Sequence, residues 1–212
     1  MLLLPVQAVG FSVVAARGSA RLTSETELFE LPATRRALTS IVRLPEPLAG
    51  ALVGVASAVR GIAGHYLYPA GDLHLTLLNL DSARQPDDSS LVAAVTAALE
   101  RSGPFPLAVR GLAISRSTIY ARGYDPTGAL LRARLRVSRA TGCRPPWPLV
   151  MLGFVNVARF TRPLSAELVA GVAAARHALA GSLRVSTVEV VRTDRILSRR
   201  GTEVVERVRL DA

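Results

Sequence analysis

Eight consecutive residues, Leu73-His74-Leu75-Thr76-Leu77-Leu78-Asn79-Leu80, constrain this chain more than any other stretch. Successive side chains of a strand point to opposite faces. The alternation through Leu77 therefore puts leucines on one face and His74 with Thr76 on the other. An imidazole beside a hydroxyl on one face suits phosphate chemistry. The choice elsewhere is narrow, because the chain has three histidines (His65, His74, His177) and one cysteine, Cys143. Two roles stay open for the pair at this point: a site, or a half-buried ring with a hydroxyl that bonds a neighbouring strand.

Around this strand the pattern is orderly from Thr39 onward. Ser40 to Leu44 reads as a strand ended by Pro45-Glu46-Pro47. Leu48, Leu52, Val55, Val59 and Ile62 recur at helical spacing and predict a helix over 48–62. A second helix runs from about Ser90 to Arg101, capped by Asp88 or Ser89. Leu107 to Ile114 and Ser117 to Arg122 read as strands, and Ala129 to Ala140 as a helix stopped by Gly142. Arg144 to Pro148 is a rigid connector, with Trp147 as a loop anchor. Leu149 to Phe160 is a second rich strand. A helix follows from Ser165 to Gly181, then two closing strands, Leu183 to Val191 and Val204 to Leu210, around a loop over 194–201. The order is β-α-β-α-β-β-α-β-α-β-β, which predicts sheets inside and helices outside. Arg132, Arg134, Arg136 and Arg139 spread over more than one face of their helix and read as a solvated surface.

The bulk properties bound the function classes. A mean hydropathy of +0.32 is too apolar for a disordered chain. No run reaches the roughly 18 apolar residues of a membrane span. Residues 1–37 match neither such a span nor a secretory signal, and stand as a leader of undefined structure, with Thr23 to Leu31 a short helix or strand. A cytoplasmic protein is expected. One cysteine excludes an internal disulfide and a cysteine-based zinc cage. All 26 basic residues are arginine and the net charge is +10. Arginine favours planar, bidentate contacts to phosphate, and the excess positive charge favours a polyanionic ligand. Phosphate-loop, dinucleotide, zinc-protease and serine-hydrolase motifs are absent.

Tyr68-Pro69 followed by Asp72-Leu73-His74-Leu75-Thr76-Leu77-Leu78 resembles the first signature of the two-histidine (2H) phosphoesterase superfamily, the 2'-5' RNA ligase-like proteins. The family signature is two His-x-Thr/Ser strands about eighty residues apart, facing each other across a cleft. Ile119-Tyr120-Ala121-Arg122-Gly123 resembles the family's central strand, and 183–191 its closing strand. The likeness spans about residues 39–210. It implies an α+β, two-lobed fold, with antiparallel sheets flanking a central cleft and helices outside, over a single domain at 38–212. It also implies RNA 2',3'-cyclic phosphodiesterase chemistry that uses neither metal nor cofactor, on nucleotide or RNA phosphate ends. A monomer without membrane attachment is expected.

The second signature departs from the family. Phe154-Val155-Asn156-Val157-Ala158-Arg159 stands where His-x-Thr-Leu-Ala-Arg is expected. Phe154 takes the place of the second histidine and Asn156 that of the threonine. The resemblance implies catalytic roles for His74 and Thr76, and substrate contacts for Asn156, Tyr120 and Arg159. In an uninterrupted strand, however, Arg159 faces away from Asn156. His74 is then the sole retained acid–base group, and each such group is typically worth about 10²–10⁴ in rate. Weak catalysis, a non-catalytic module that binds nucleotide or RNA ends, and a structural or partner-binding protein with a vestigial cleft are the functions left. His65, Tyr68 and Tyr120 are the candidates to replace the missing histidine.

Overall fold

The computed structural model describes residues 7–9, 11–12, 37–84, 87–144, 149–193 and 201–211. The expected element at 23–31, Trp147 and most of the 194–201 loop lie outside them. The strands are β1 (Ala37–Arg43), β2 (Tyr66–Leu67), β3 (His74–Asn79), β4 (Phe105–Ile114), β5 (Thr118–Tyr124), β6 (Gly153–Arg159), β7 (Leu179–Val185), β8 (Thr187–Thr193) and β9 (Glu203–Arg209). The helices are α1 (Glu46–Ser57), α2 (Asp88–Leu99), α3 (Ala129–Thr141) and α4 (Ala166–Ala174). Among the described residues no helix is long and apolar enough to cross a membrane.

The fold is α+β. The strands form one antiparallel sheet in the order β7-β4-β5-β6-β3-β1-β8-β9, with β2 paired to β6. The predicted order of elements holds from β1 to α4, with the two-residue β2 added. Past α4 the structure differs. The single strand read over 183–191 is two, because around Ser186 the chain leaves the β7 edge of the sheet and enters between β1 and β9 at the far end. Residues before it pair with β4, and those after it pair with β1. Gly181 lies inside β7 instead of ending a helix, and α4 stops at Ala174.

Local chemistry sets most boundaries. Pro45 and Pro47 flank the first residue of α1, where a missing N–H breaks no helical bond. That helix ends at Ser57, short of the predicted Ile62, and a turn carries Val59 and Ile62 onto the core. The cap of α2 is Asp87, not Asp88 or Ser89: its carboxylate accepts from Ser90 N at 2.8 Å. Gly142, at φ 76°, stops α3 in the left-handed conformation that a side chain would resist.

The four helices cover one face of the sheet. Leu52, Val95, Leu130, Val137 and Leu168 pack with Leu75, Leu77, Ile119, Ala121, Val155 and Val157 in one large buried cluster. Tyr120 and Tyr124 alternate with Ile119 and Ala121 along β5, so they project from the opposite face. There they join Ala113, Leu152 and Phe11 in a second, smaller cluster.

The two lobes meet where β3 joins β6 through one registered pair, Leu75 with Val155. The junction depends on small residues. Gly123 and Gly153 are cross-strand partners. A Cβ added to Gly153 would stand 2.9 Å from both Gly123 O and Leu75 Cδ1. The glycine pair thus makes the space that seats Leu75 and lets the two signature strands come together.

One surface expectation is overturned. Arg134 is not solvated; it is 4% exposed. Its Nε donates to Leu77 O, its Nη2 to Thr76 O, and its Nη1 to Val150 O and Leu152 O. Burial holds the guanidinium down at about 10, so it remains a cation at neutral pH.

Candidate functional site

The candidate residues gather on the sheet face that α1 to α4 do not cover. In antiparallel register, one step to either side of the Leu75–Val155 pair brings His74 level with Asn156 and Thr76 level with Phe154. Both pairs project opposite to Leu75 and Val155, which are in the helix-covered core. On the other side of β3, Arg43 pairs with His74, and so shares its face.

Arg159 belongs to the same face, contrary to the uninterrupted-strand reading. Ile119 pairs with Ala158, but Tyr120 pairs with Asn156, leaving Val157 as an extra residue. Such a bulge reverses the parity of the strand beyond it. Thr118 and Tyr120 are two apart on β5 and share a face, so their partners Arg159 and Asn156 do too. Arg159 Nε donates to Tyr68 Oη at 3.2 Å. The Tyr68 ring stands edge-on to the His74 ring, centroids 6.4 Å apart.

His74 is 3% exposed. Its Nδ1 lies 2.7 Å from Asp72 O. A carbonyl only accepts, so Nδ1 carries the hydrogen and Nε2 presents a lone pair. Burial lowers the imidazole pKa from its ordinary 6.5; the bond to Asp72 O raises it, Arg43 lowers it, the Asp72 carboxylate raises it and Arg159 lowers it, with a net downward shift. A neutral ring with a free Nε2 can accept a proton or a hydrogen bond at neutral pH.

This shift has a measurable consequence. Between 6.5 and the lower folded value, the unfolded chain binds a proton that the folded chain refuses. The stability this supplies is complete above that window and is lost as pH falls through it. An NMR titration of the His74 Cε1 proton is expected to show a midpoint below 6.5. A midpoint above that value would contradict the burial argument.

The residues considered as replacements for the second histidine separate. Tyr68 lies against His74. Tyr120 lies instead against Phe154, ring centroids 4.9 Å apart, and is 1% exposed. Burial pushes its hydroxyl up to about 12, which makes it a poor proton donor at neutral pH. His65 is beyond the Arg159 end of β6, where Thr161 N donates to its Nδ1 at 3.4 Å and its ring meets Phe160 edge-on. His177 lies in a short 3-10 turn after α4.

Two further residues lie beside the candidate residues without having been singled out in the sequence. Arg43 ends β1 as the one charged residue of an otherwise uncharged strand, a signal that was there to read. Its Nε donates to Glu189 Oε2 at 2.9 Å, which fixes the guanidinium beside the site. Phe11 comes from the segment read as a leader, and nothing in its local pattern marks it.

This is the fold of the LigT-like, two-histidine phosphoesterases. The chain is similar to TT0787 of Thermus thermophilus, at 24% identity and a TM-score of 0.62, over 83% of this chain and 98% of that one. It is also similar to E. coli LigT complexed with 3'-AMP, at 15% identity and a TM-score of 0.63, over 84% and 99% of the two chains. A conserved protein of unknown function, ATU0111 from Agrobacterium tumefaciens, matches at 13% identity and a TM-score of 0.58, over 91% and 93%. No family model matches the sequence, and no curated protein does.

Proposed function

We propose that the open face holds the terminal or 2',3'-cyclic phosphate of a nucleotide or RNA end, with His74 as its only acid–base group. The observation that carries this is the convergence of His74, Asn156, Arg159 and Arg43 on one face of three adjoining strands, β1, β3 and β6. Arg159 and Arg43 supply positive charge, the Asn156 amide donates hydrogen bonds, and His74 Nε2 meets a P–OH or takes a proton from an attacking water. Thr76 supplies a hydroxyl beside them. The similar LigT fold has been seen complexed with 3'-AMP, with ATP and with phosphate, which supports a nucleotide-sized ligand here.

The geometry favours holding over cutting. Displacement at a cyclic phosphate uses one group to remove a proton from water and another to protonate the leaving oxygen. Phe154 provides no second group, and Tyr120 beside it is too weak an acid. We therefore read the protein as a nucleotide-end binder with at most slow phosphodiesterase activity. It acts as a cytoplasmic monomer, with one domain over 38–212.

The test is calorimetry with 3'-AMP, and hydrolysis of 2',3'-cyclic AMP, on the native chain and on His74→Ala. Binding is expected to weaken at least tenfold in the variant, and any turnover to vanish. Equal binding and equal turnover in the two chains would overturn the reading.

A further inference from the structure

Part of this face is covered by the chain itself. Residues 7–9 and 11–12 are helical, and Gln7 and Phe11, four apart, share one side of that turn. Each is 1% exposed, whereas Val9 on the other side is 64% exposed. Phe11 meets Phe154 edge-on at 5.5 Å between centroids, Tyr124 at 5.2 Å and Tyr120 at 6.4 Å. Gln7 fastens the turn at two points: its Nε2 donates to Met151 O at 3.3 Å, and its Oε1 accepts from Asp125 N at 3.2 Å.

The cover leaves a polar atom stranded. Among the described residues, the Tyr120 hydroxyl is buried without a hydrogen-bond partner. A buried hydroxyl that loses its water and gains nothing opposes the closed arrangement. A ligand bringing a ribose or phosphate oxygen to that place would satisfy it. The contact is thus well packed in its apolar part and deficient in its polar part, which suits an occupant that can be displaced.

We propose that the turn carrying Gln7 and Phe11 is a displaceable plug on the aromatic half of the cleft, and that it competes with the nucleoside part of the ligand. The inference rests on the reading that the face takes a nucleotide. Phosphate alone is expected to engage His74, Asn156 and Arg159, which lie together by register, without reaching the aromatic half. A base or ribose attached to that phosphate extends along β6 and β5 onto Phe154 and Tyr120, which Phe11 occupies. Phe154 then has a positive role: an aromatic side chain at this position is the socket for Phe11, where a histidine would be a proton donor.

The experiment compares the full chain with Phe11→Ala, using 3'-AMP and inorganic phosphate as separate probes in calorimetry. Loss of the plug is expected to tighten 3'-AMP about tenfold and to leave phosphate affinity unchanged. Hydrogen exchange on the native chain supplies a measurement that needs no variant: saturating 3'-AMP should speed exchange of the 7–12 amides, and phosphate should not. If both chains bind 3'-AMP equally and those amides stay equally protected, the plug is wrong and the nucleotide reading stands. If neither probe binds either chain, both are wrong.

Discussion

Arg134→Met is expected to lower the free energy of unfolding by about 4 kcal/mol or more. Four backbone carbonyls accept from the guanidinium, at 2.7 Å (Thr76), 2.7 Å (Leu77), 3.0 Å (Val150) and 2.7 Å (Leu152). Hydrogen bonds to charged groups contribute about 1.5–3 kcal/mol each, and a buried acceptor left bare costs about 1–3 kcal/mol. The opposing term is desolvation of the cation, which makes many buried charges break even against an apolar replacement. That trade works only if the partners are replaced as well; methionine fills the stem's volume and leaves all four carbonyls in place. The loss is a large part of the roughly 5–15 kcal/mol that holds a typical domain together. Urea unfolding measures it, with Arg132→Met as the control. Arg132 is exposed and donates to Thr127 O at 2.9 Å, so its change should stay at about 0.5 kcal/mol. Equal midpoints for the two variants would mean that Arg134 is not the tie its contacts describe. The tie also matters for the site. It clamps the carbonyls of β3 at Thr76 and Leu77 to the residues leading into β6, so a folded remnant of Arg134→Met should bind 3'-AMP more weakly.

Arg134 lies four residues after Leu130 and three before Val137, both in the apolar stripe of α3. Spacing therefore placed it on the buried face, but the neighbouring arginines masked the signal. The order of strands and helices was legible because it follows from local periodicity, prolines and caps. Three features depend on partners far along the chain, and local pattern does not contain them. The bulge at Val157 exists only relative to β5, and it is what turns Arg159 toward Asn156. The division at Ser186 exists because β4 and β1 lie at distant positions in the sheet. The docking of Phe11 joins residues more than a hundred positions apart. Of the site, the strand bearing His74 and the altered one bearing Phe154 and Asn156 could be named in advance, because each is a short alternating motif. Arg43 and the seat for Leu75 required the sheet register.

Phe154→His combined with Asn156→Thr is expected to raise hydrolysis of 2',3'-cyclic AMP at least tenfold over the native chain, and toward about 100-fold if the new imidazole is well placed, since an acid–base group is typically worth about 10²–10⁴. Register favours good placement. The new imidazole would be level with Thr76, and the new threonine level with His74, on two strands joined at Leu75 and Val155. His74 keeps Nε2 free as a base, because Nδ1 is committed to Asp72 O. The new ring would supply the proton for the leaving oxygen. One effect opposes the gain and a second assists it. Burial beside Tyr120 disfavours the protonated imidazole needed for that donation. The edge-on contacts of Phe154 with Tyr120 and Phe11 are also lost, at about 0.5–1.5 kcal/mol per aromatic pair. The second loss works in favour of activity, because it weakens the hold on Phe11 over the same ground. Adding Phe11→Ala should therefore increase the rate further, whereas in a chain that keeps Phe154 it should change affinity far more than turnover. Initial rates across these variants, each checked for an unchanged unfolding midpoint, separate the two contributions. A folded double variant no faster than the native chain would mean that His74 and position 154 do not act on one phosphate.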